Sequence, residues 1–223
     1  MPENRCSVCR LNEAECVCAE LPRAPSGVEI CLLQHATERD SESNTGALAA
    51  HVISNTRFIR YGSPDSTFDL TTLWEPEADD YVFFPREGAP VIGSESMPKV
   101  DGRLRRLIVL DATWRKGTRM LRRVIRSHPE GRPCSVVQLP RESKPRYSLR
   151  RPVRPGQMGT AEAVAIALER LGETEAASAL NAALEITLPR ILARRGRAGQ
   201  ETWARDPLLP AGRFLPGNRK PGG

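Results

Sequence analysis

Apolar and polar positions alternate along this chain in two distinct rhythms. The clearest apolar block is Leu107-Ile108-Val109-Leu110. An unbroken run of this kind, half of it β-branched, reads as a strand buried on both faces. Val28 to Gln34, Thr56 to Tyr61, Tyr81 to Pro85 and Ser135 to Leu139 read as further strands. Between them the rhythm lengthens to that of a helix. A short helix opens at Thr45 and reaches about Ile53, and Asp69 to Trp74 reads as a shorter helical segment. Arg115 to about Ser127 places Met120, Leu121, Val124 and Ile125 on one side of a helix. From Thr160, Val164, Ala167, Leu168 and Leu171 recur at helical spacing and define one apolar face. A second helix follows Glu173, and Pro189 is expected to end or kink it. Gly88 to Gly102 reads as a loop, and no internal repeat is visible. Strands alternating with helices predict an α/β fold with a mostly parallel sheet flanked by helices.

Composition narrows the class. A chain of 223 residues with 39% hydrophobic content supports one folded domain with small appendages. We expect a cysteine-bearing knuckle and linker over 1–25, the main domain over 26–200 and a mobile Pro/Gly-rich tail over 201–223. The formal charge of +6 suggests a polyanionic partner. No run reaches the roughly 20 apolar residues that a membrane-spanning helix needs. The cysteine-rich start also lacks the apolar core of a signal peptide, so a cytoplasmic location is expected. In that compartment, cysteines close in sequence point to metal more than to disulfides.

Cys6-x2-Cys9 and Cys16-x-Cys18 form two short pairs. Such pairs can supply the four thiolates of a tetrahedral zinc site. With four protein ligands no position stays open for substrate, so the role would be structural. Cys31 lies inside an apolar strand and reads as a packed thiol, and Cys134 is read the same way.

The strand Leu107 to Asp111 runs into Asp111-Ala112-Thr113-Trp114. Ligands of open α/β sheets gather at the carboxyl ends of strands, which makes Asp111, Thr113 and Trp114 candidates for chemistry. The plainer alternative is that Asp111 caps the following helix and Trp114 fills the core. No Gly-x-Gly-x-x-Gly follows the first strand, and no Walker-type lysine loop is present. The helix after Trp114 carries Arg115, Lys116, Arg119, Arg122, Arg123 and Arg126 without an acid. Those cations could hold phosphates while Asp111 faces a base, or form an ordinary solvated face. A second cluster, Arg141, Lys144, Arg146, Arg150, Arg151 and Arg154, surrounds Tyr147. Cations interleaved with an aromatic suit looped or single-stranded RNA. His35 follows a strand end and could line the same cleft as Asp111. His51 reads as a core or surface histidine, and His128 as the end of the basic helix.

Several of these segments together resemble one family. Cys6-x2-Cys9-x6-Cys16-x-Cys18, Asn44-Thr45-Gly46, Asp111-x-Thr113-Trp114, Arg146-Tyr147-Ser148-Leu149-Arg150 and Arg154 to Ala163 resemble, in order, the motifs of the DTW-domain family. Ala112 and Gly159 depart from residues common at those places, as does Arg115-Lys116-Gly117-Thr118. The resemblance implies a variant of the knotted SPOUT methyltransferase fold. It also implies a tRNA-uridine aminocarboxypropyltransferase that uses S-adenosylmethionine as substrate and tRNA as partner; the charge clusters favour RNA over membrane, and no obligate protein partner is implied. By the same resemblance, Asp111, Thr113 and Trp114 would be catalytic, while Leu139, Tyr147, Met158 and Thr160 would lie against the adenosyl group. Thr160 has an alternative as the cap of its helix. Arg115, Lys116, Arg119, Arg122, Arg123, Arg146 and Arg150 are the expected RNA contacts. An RNA methyltransferase and a non-catalytic zinc-bearing RNA-binding module remain as alternatives.

Overall fold

The structure is a computed structural model and describes residues 5–41, 43–62, 68–97, 104–130, 134–143, 158–194 and 196. Five strands form one sheet: β1 (Val28–His35), β2 (Thr56–Tyr61), β3 (Ala78–Phe83), β4 (Leu104–Asp111) and β5 (Ser135–Val137). Their order is β2-β1-β4-β3-β5, and every pairing is parallel. Four helices accompany them: α1 (Gly46–Val52), α2 (Trp114–Arg126), α3 (Thr160–Arg170) and α4 (Thr174–Arg194). The fold class is therefore α/β, as expected.

The period-two geometry of strands sorts the apolar runs into two cores. Ile30, Leu32, Leu107, Val109, Tyr81 and Phe83 pack with α1, α3 and α4. Cys31, Leu33, Ile108, Leu110, Val82 and Phe84 face the other way, against α2 and the short 3-10 helix Leu70–Leu73. A parallel sheet covered on both faces needs apolar residues at successive positions, which is why its strands appear in the sequence as runs. The N-terminal knuckle joins the first core through Cys9, Leu11, Val17 and Leu21.

Three boundaries differ most from the pattern-based expectation, while β3 and β5 each end two residues early, at Phe83 and Val137. β3 begins at Ala78 and takes in Asp79 and Asp80, while β4 begins at Leu104 and takes in Arg105 and Arg106. Arg106 is fully buried, and its Nη1 lies 3.2 Å from Asp80 Oδ1, so partners from a neighbouring strand turn polar residues into strand interior. α4 passes through Pro189 to Arg194. Leu184 and Leu188 before the proline and Ile191 and Leu192 after it are all buried, and this packing outweighs the lost backbone hydrogen bond. The 201–223 tail and the 144–157 connection that a knot would thread lie outside the described residues.

The chain order places a switch point between two adjacent strands. From β1 the chain moves through α1 to β2 at one edge; from β4 it moves through α2 to β5 at the other. α1 and α2 pack on opposite faces. Connections diverging in this way leave a crevice at the carboxyl ends of β1 and β4.

Candidate active site at the switch point

Asp111 ends β4 at that crevice, paired in register with Gln34 of β1. Both side chains belong to the face covered by α1 and α3, and Asp111 is only 2% exposed. Gln34 Nε2 donates to Asp111 Oδ2 at 2.9 Å. Asn44 Nδ2 lies 2.9 Å from Oδ1 and 2.7 Å from Oδ2, bridging the carboxyl group. The Thr160 hydroxyl donates to Oδ1 at 2.6 Å from the first residue of α3. A carboxylate at a helix amino end also meets the favourable end of the helix dipole. Three segments far apart in sequence thus converge on one buried acid.

The surroundings hold these donors in place. Asn44 Oδ1 accepts from Gln34 Nε2 at 3.1 Å and from the Gly46 N–H at 3.1 Å. Thr45 Oγ1 accepts from the Ala161 N–H at 3.1 Å, tying α1 to α3. A Cβ at Gly46 would press into Asp111 Oδ2, so the close approach of α1 requires glycine there. Burial pushes the Asp111 carboxyl up from the ordinary aspartate range, and the donors from Thr160, Gln34 and Asn44 push it back down in part.

Neither plainer alternative describes the strand end. The N-cap of α2 is Thr113, with no side-chain cap bond, and the oxygens of Asp111 face away toward Gln34, Asn44 and Thr160. Trp114 is 41% exposed and packs against Phe84, ring centroids 5.5 Å apart. Thr113 is exposed. Thr160 does not cap α3 either; Gly159 holds that position. Met158 is half-buried just before it, and Leu139 packs partly buried against the first core. Tyr147, Arg146 and Arg150 lie outside the described residues.

On the opposite face, α2 buries Gly117, Met120, Leu121 and Val124 and exposes Arg115, Arg119, Arg122, Arg123 and Arg126. Lys116 Nζ donates to Thr37 Oγ1 at 2.6 Å, and Arg123 Nη1 to the Tyr61 hydroxyl at 3.3 Å. His35 belongs to this side. Strand alternation turns it away from Gln34, and its ring contacts Thr37 and lies against Gly62. Burial lowers its pKa, and nearby Lys116 and Arg123 add to that.

The four N-terminal cysteines offer sulfur atoms within 4.8 Å of one another. Cys6 and Cys18 Sγ are 3.5 Å apart, and Cys9 and Cys16 Sγ 3.8 Å. Zinc–thiolate bonds of about 2.3 Å in a tetrahedron require sulfur separations of about 3.8 Å. The cluster therefore fits a metal such as zinc. All four are free of disulfides. Burial raises the Cys6 thiol, but the N–H groups of Cys9 and Val8 and the neighbouring thiols outweigh it, bringing the pKa down to about 7. His51 ties the knuckle to α1, its Nε2 lying 3.2 Å from the Cys18 carbonyl and its Nδ1 3.2 Å from Arg23.

Gln34 went unnoticed in the sequence. Its signal was available: a polar residue closing an apolar strand beside the one that ends in Asp111. No helix among the described residues is long and apolar enough to cross a membrane. No solved structure matches this fold. The DTW domain profile matches residues 3–192. That match spans most of the chain, so the protein belongs to the DTW-domain family, which is consistent with tRNA modification.

Proposed function

We propose that the protein transfers the 3-amino-3-carboxypropyl group of S-adenosylmethionine to N3 of a uridine in the variable loop of tRNA, and that its four N-terminal cysteines hold a structural zinc. The observation that carries the reading is the convergence of Asn44, Asp111 and Thr160, from three family-like motifs, on one buried carboxyl group at the switch point. A carboxylate surrounded by neutral donors suits a cationic sulfonium or ammonium group, whose charge the donors leave uncompensated.

S-adenosylmethionine supplies an electrophilic methylene on the methionine side of its sulfonium, and methylthioadenosine departs with the electrons of the broken C–S bond. The protein's part is positional and acid–base. Asp111 accepts the N3 proton of uridine, and its raised pKa makes it a better base than an exposed aspartate. Uracil reaches it by replacing one of its present donors. Trp114, partly exposed three residues after Asp111, offers a stacking or walling surface, and Thr113 offers a hydroxyl for uracil or the methionine carboxylate. The basic face of α2 holds phosphates. Thr160 orients Asp111, and by the family resemblance Leu139, Tyr147 and Met158 would contact the adenosyl group.

Incubation with uridine-bearing tRNA and carboxyl-labelled S-adenosylmethionine tests the reaction. Label entering the RNA supports aminocarboxypropyl transfer; label left in solution while the RNA gains a methyl group favours a methyltransferase. A protein that binds tRNA but has no affinity for S-adenosylmethionine would be a binding module. For the metal, elemental analysis should find one zinc per chain, and Cys6→Ser should lower stability without abolishing chemistry. No zinc together with four freely reactive thiols would overturn that assignment.

A further inference from the structure

A cleft of ≈ 790 Å³ separates the cysteine knuckle from the β1–β2 side of the sheet. Four arginines line it: Arg5 and Arg10 from the knuckle, Arg39 from the segment after β1, and Arg60 from β2. Asp40 is the one acid among its lining residues. Phe58 adds a partly buried aromatic face, and Gln34 lines the same cavity while donating to Asp111. The cleft therefore adjoins the candidate active site.

Arg10 is unusual in its backbone. Its φ of 66° makes it the one non-glycine residue with positive φ among the described residues. That conformation costs roughly 1–2 kcal/mol for a residue with a Cβ. Cys6 fixes it there: the Arg10 N–H donates to the Cys6 carbonyl at 3.1 Å, and the Cys6 N–H donates to Leu11 O at 2.9 Å. The Arg10 Nε is buried with no hydrogen-bond partner. A strained backbone carrying a half-buried, incompletely satisfied cation is costly for stability, so its retention beside a cavity points to a ligand.

We propose that this cleft is a second RNA-binding surface, in which the arginines grip backbone phosphates next to the reacting nucleotide and Phe58 receives a base. The proposal rests on the reading that RNA is the substrate. The volume falls in the range of sites that enclose a whole small ligand, which suits a nucleotide unit better than a bare ion. Arginine forks suit phosphate oxygens, and an aromatic face accepts any base. The cleft lies on the α1 side of the sheet and the cationic face of α2 on the other, so the two surfaces flank Asp111. The proposal also gives the knuckle a task. A closed thiolate site does no chemistry, but it holds Arg5 and Arg10 at one wall of the cleft.

The test uses full-length, zinc-loaded protein and a fluorescently labelled tRNA transcript with a variable-loop uridine, titrated over a series of salt concentrations. Arg39 and Arg60 are exposed, so Arg39→Ala with Arg60→Ala should fold normally. The pair should weaken tRNA binding and reduce the slope of log affinity against log salt by about 1.4–1.8, two phosphate contacts' worth. Binding of S-adenosylmethionine, read by calorimetry, should not change. Arg39→Lys with Arg60→Lys should keep most of the wild-type slope. If the alanine pair retains wild-type affinity and slope, the cleft is not an RNA site, while the transferase reading stands. A lysine pair as weak as the alanine pair would show that packing, not charge, is at work, and would also overturn the proposal. If wild-type protein fails to bind tRNA at all, the transferase reading falls and the cleft proposal with it.

Discussion

Toward the amino end of the sheet a buried arginine is matched by acids, whereas at the carboxyl end a buried acid takes its hydrogen bonds from neutral donors. Arg106 has a fully buried side chain, with Nη1 3.2 Å from Asp80 and Nε 3.3 Å from Glu29. Its Nη2 donates to the Leu73 carbonyl at 2.9 Å. Glu29 and Asp80 are its register partners on the two adjacent strands, so the cluster pins β1, β4 and β3 at one level. Five residues further along β4, Asp111 is met by two amides and a hydroxyl. The first arrangement sets its buried cation directly against acids and so commits that charge to structure. The second holds a carboxyl group in place without neutralising it, which preserves its capacity to take a proton or to attract a cation.

The largest effect should come from breaking the paired end. Arg106→Leu leaves Asp80 buried without its cation, and removing one partner of such a pair costs about 3–5 kcal/mol. Urea denaturation would measure it. Adding Asp80→Leu should recover most of the loss, because well-packed apolar residues often replace a buried ion pair at little cost. A loss below about 1 kcal/mol for Arg106→Leu would mean that the cluster is not holding the three strands together.

The unpaired end should respond in the opposite way. Asp111→Asn keeps the shape and removes the charge but turns an NH2 toward one of the present donors, so folding should lose only about 1–3 kcal/mol while transfer falls by about 10²–10⁴-fold, the usual cost of losing a general base. The pH dependence has a definite sign. Burial raises the folded-state pKa of Asp111 above its unfolded value of about 3.9, so the native state holds the proton more tightly. Its contribution to stability is complete below that unfolded value and is lost as pH rises through the folded one. Wild-type stability should therefore decline relative to Asp111→Asn as pH climbs from about 4. Near-normal transfer by a folded Asp111→Asn protein would remove Asp111 from the chemistry.

The same contrast explains what the sequence made legible. Apolar runs marked the inner strands β1, β3 and β4 and the switch from strand to helix, because burial on both faces writes itself locally. Asp79, Asp80, Arg105 and Arg106 read as polar flanks, yet they are strand, because what makes Arg106 and Asp80 tolerable inside is the partner on the next strand. Asp111 was visible as a strand-end acid. Its partners at Gln34, Asn44 and Thr160 are distant in sequence, and no local pattern links them. Asn44 and Thr160 were reachable only through family-like motifs, and Gln34 not at all. The cleft arginines were invisible for a similar reason: the knuckle, the segment after β1, and β2 each bring one or two, and only the fold assembles them.

The smallest of these effects belongs to a single neutral donor. Thr160→Val keeps the volume of the side chain but removes the hydroxyl that donates to Asp111 Oδ1. That hydrogen bond favours the charged form, so its loss should raise the Asp111 pKa further. If Asp111 is the base of the proposed transfer, only its ionised form is active, so the acidic limb of the kcat/KM profile should move to higher pH. Each unit of that shift removes about tenfold of the ionised base at pH values below it. Thr160→Ser, which restores the hydroxyl, should return the limb to its place. A residue that only held S-adenosylmethionine would behave differently: KM for that substrate would rise while the pH limb stayed fixed. An unmoved limb in Thr160→Val would therefore separate Thr160 from the carboxyl group it touches, and would leave Gln34 and Asn44 as the donors that set its acidity.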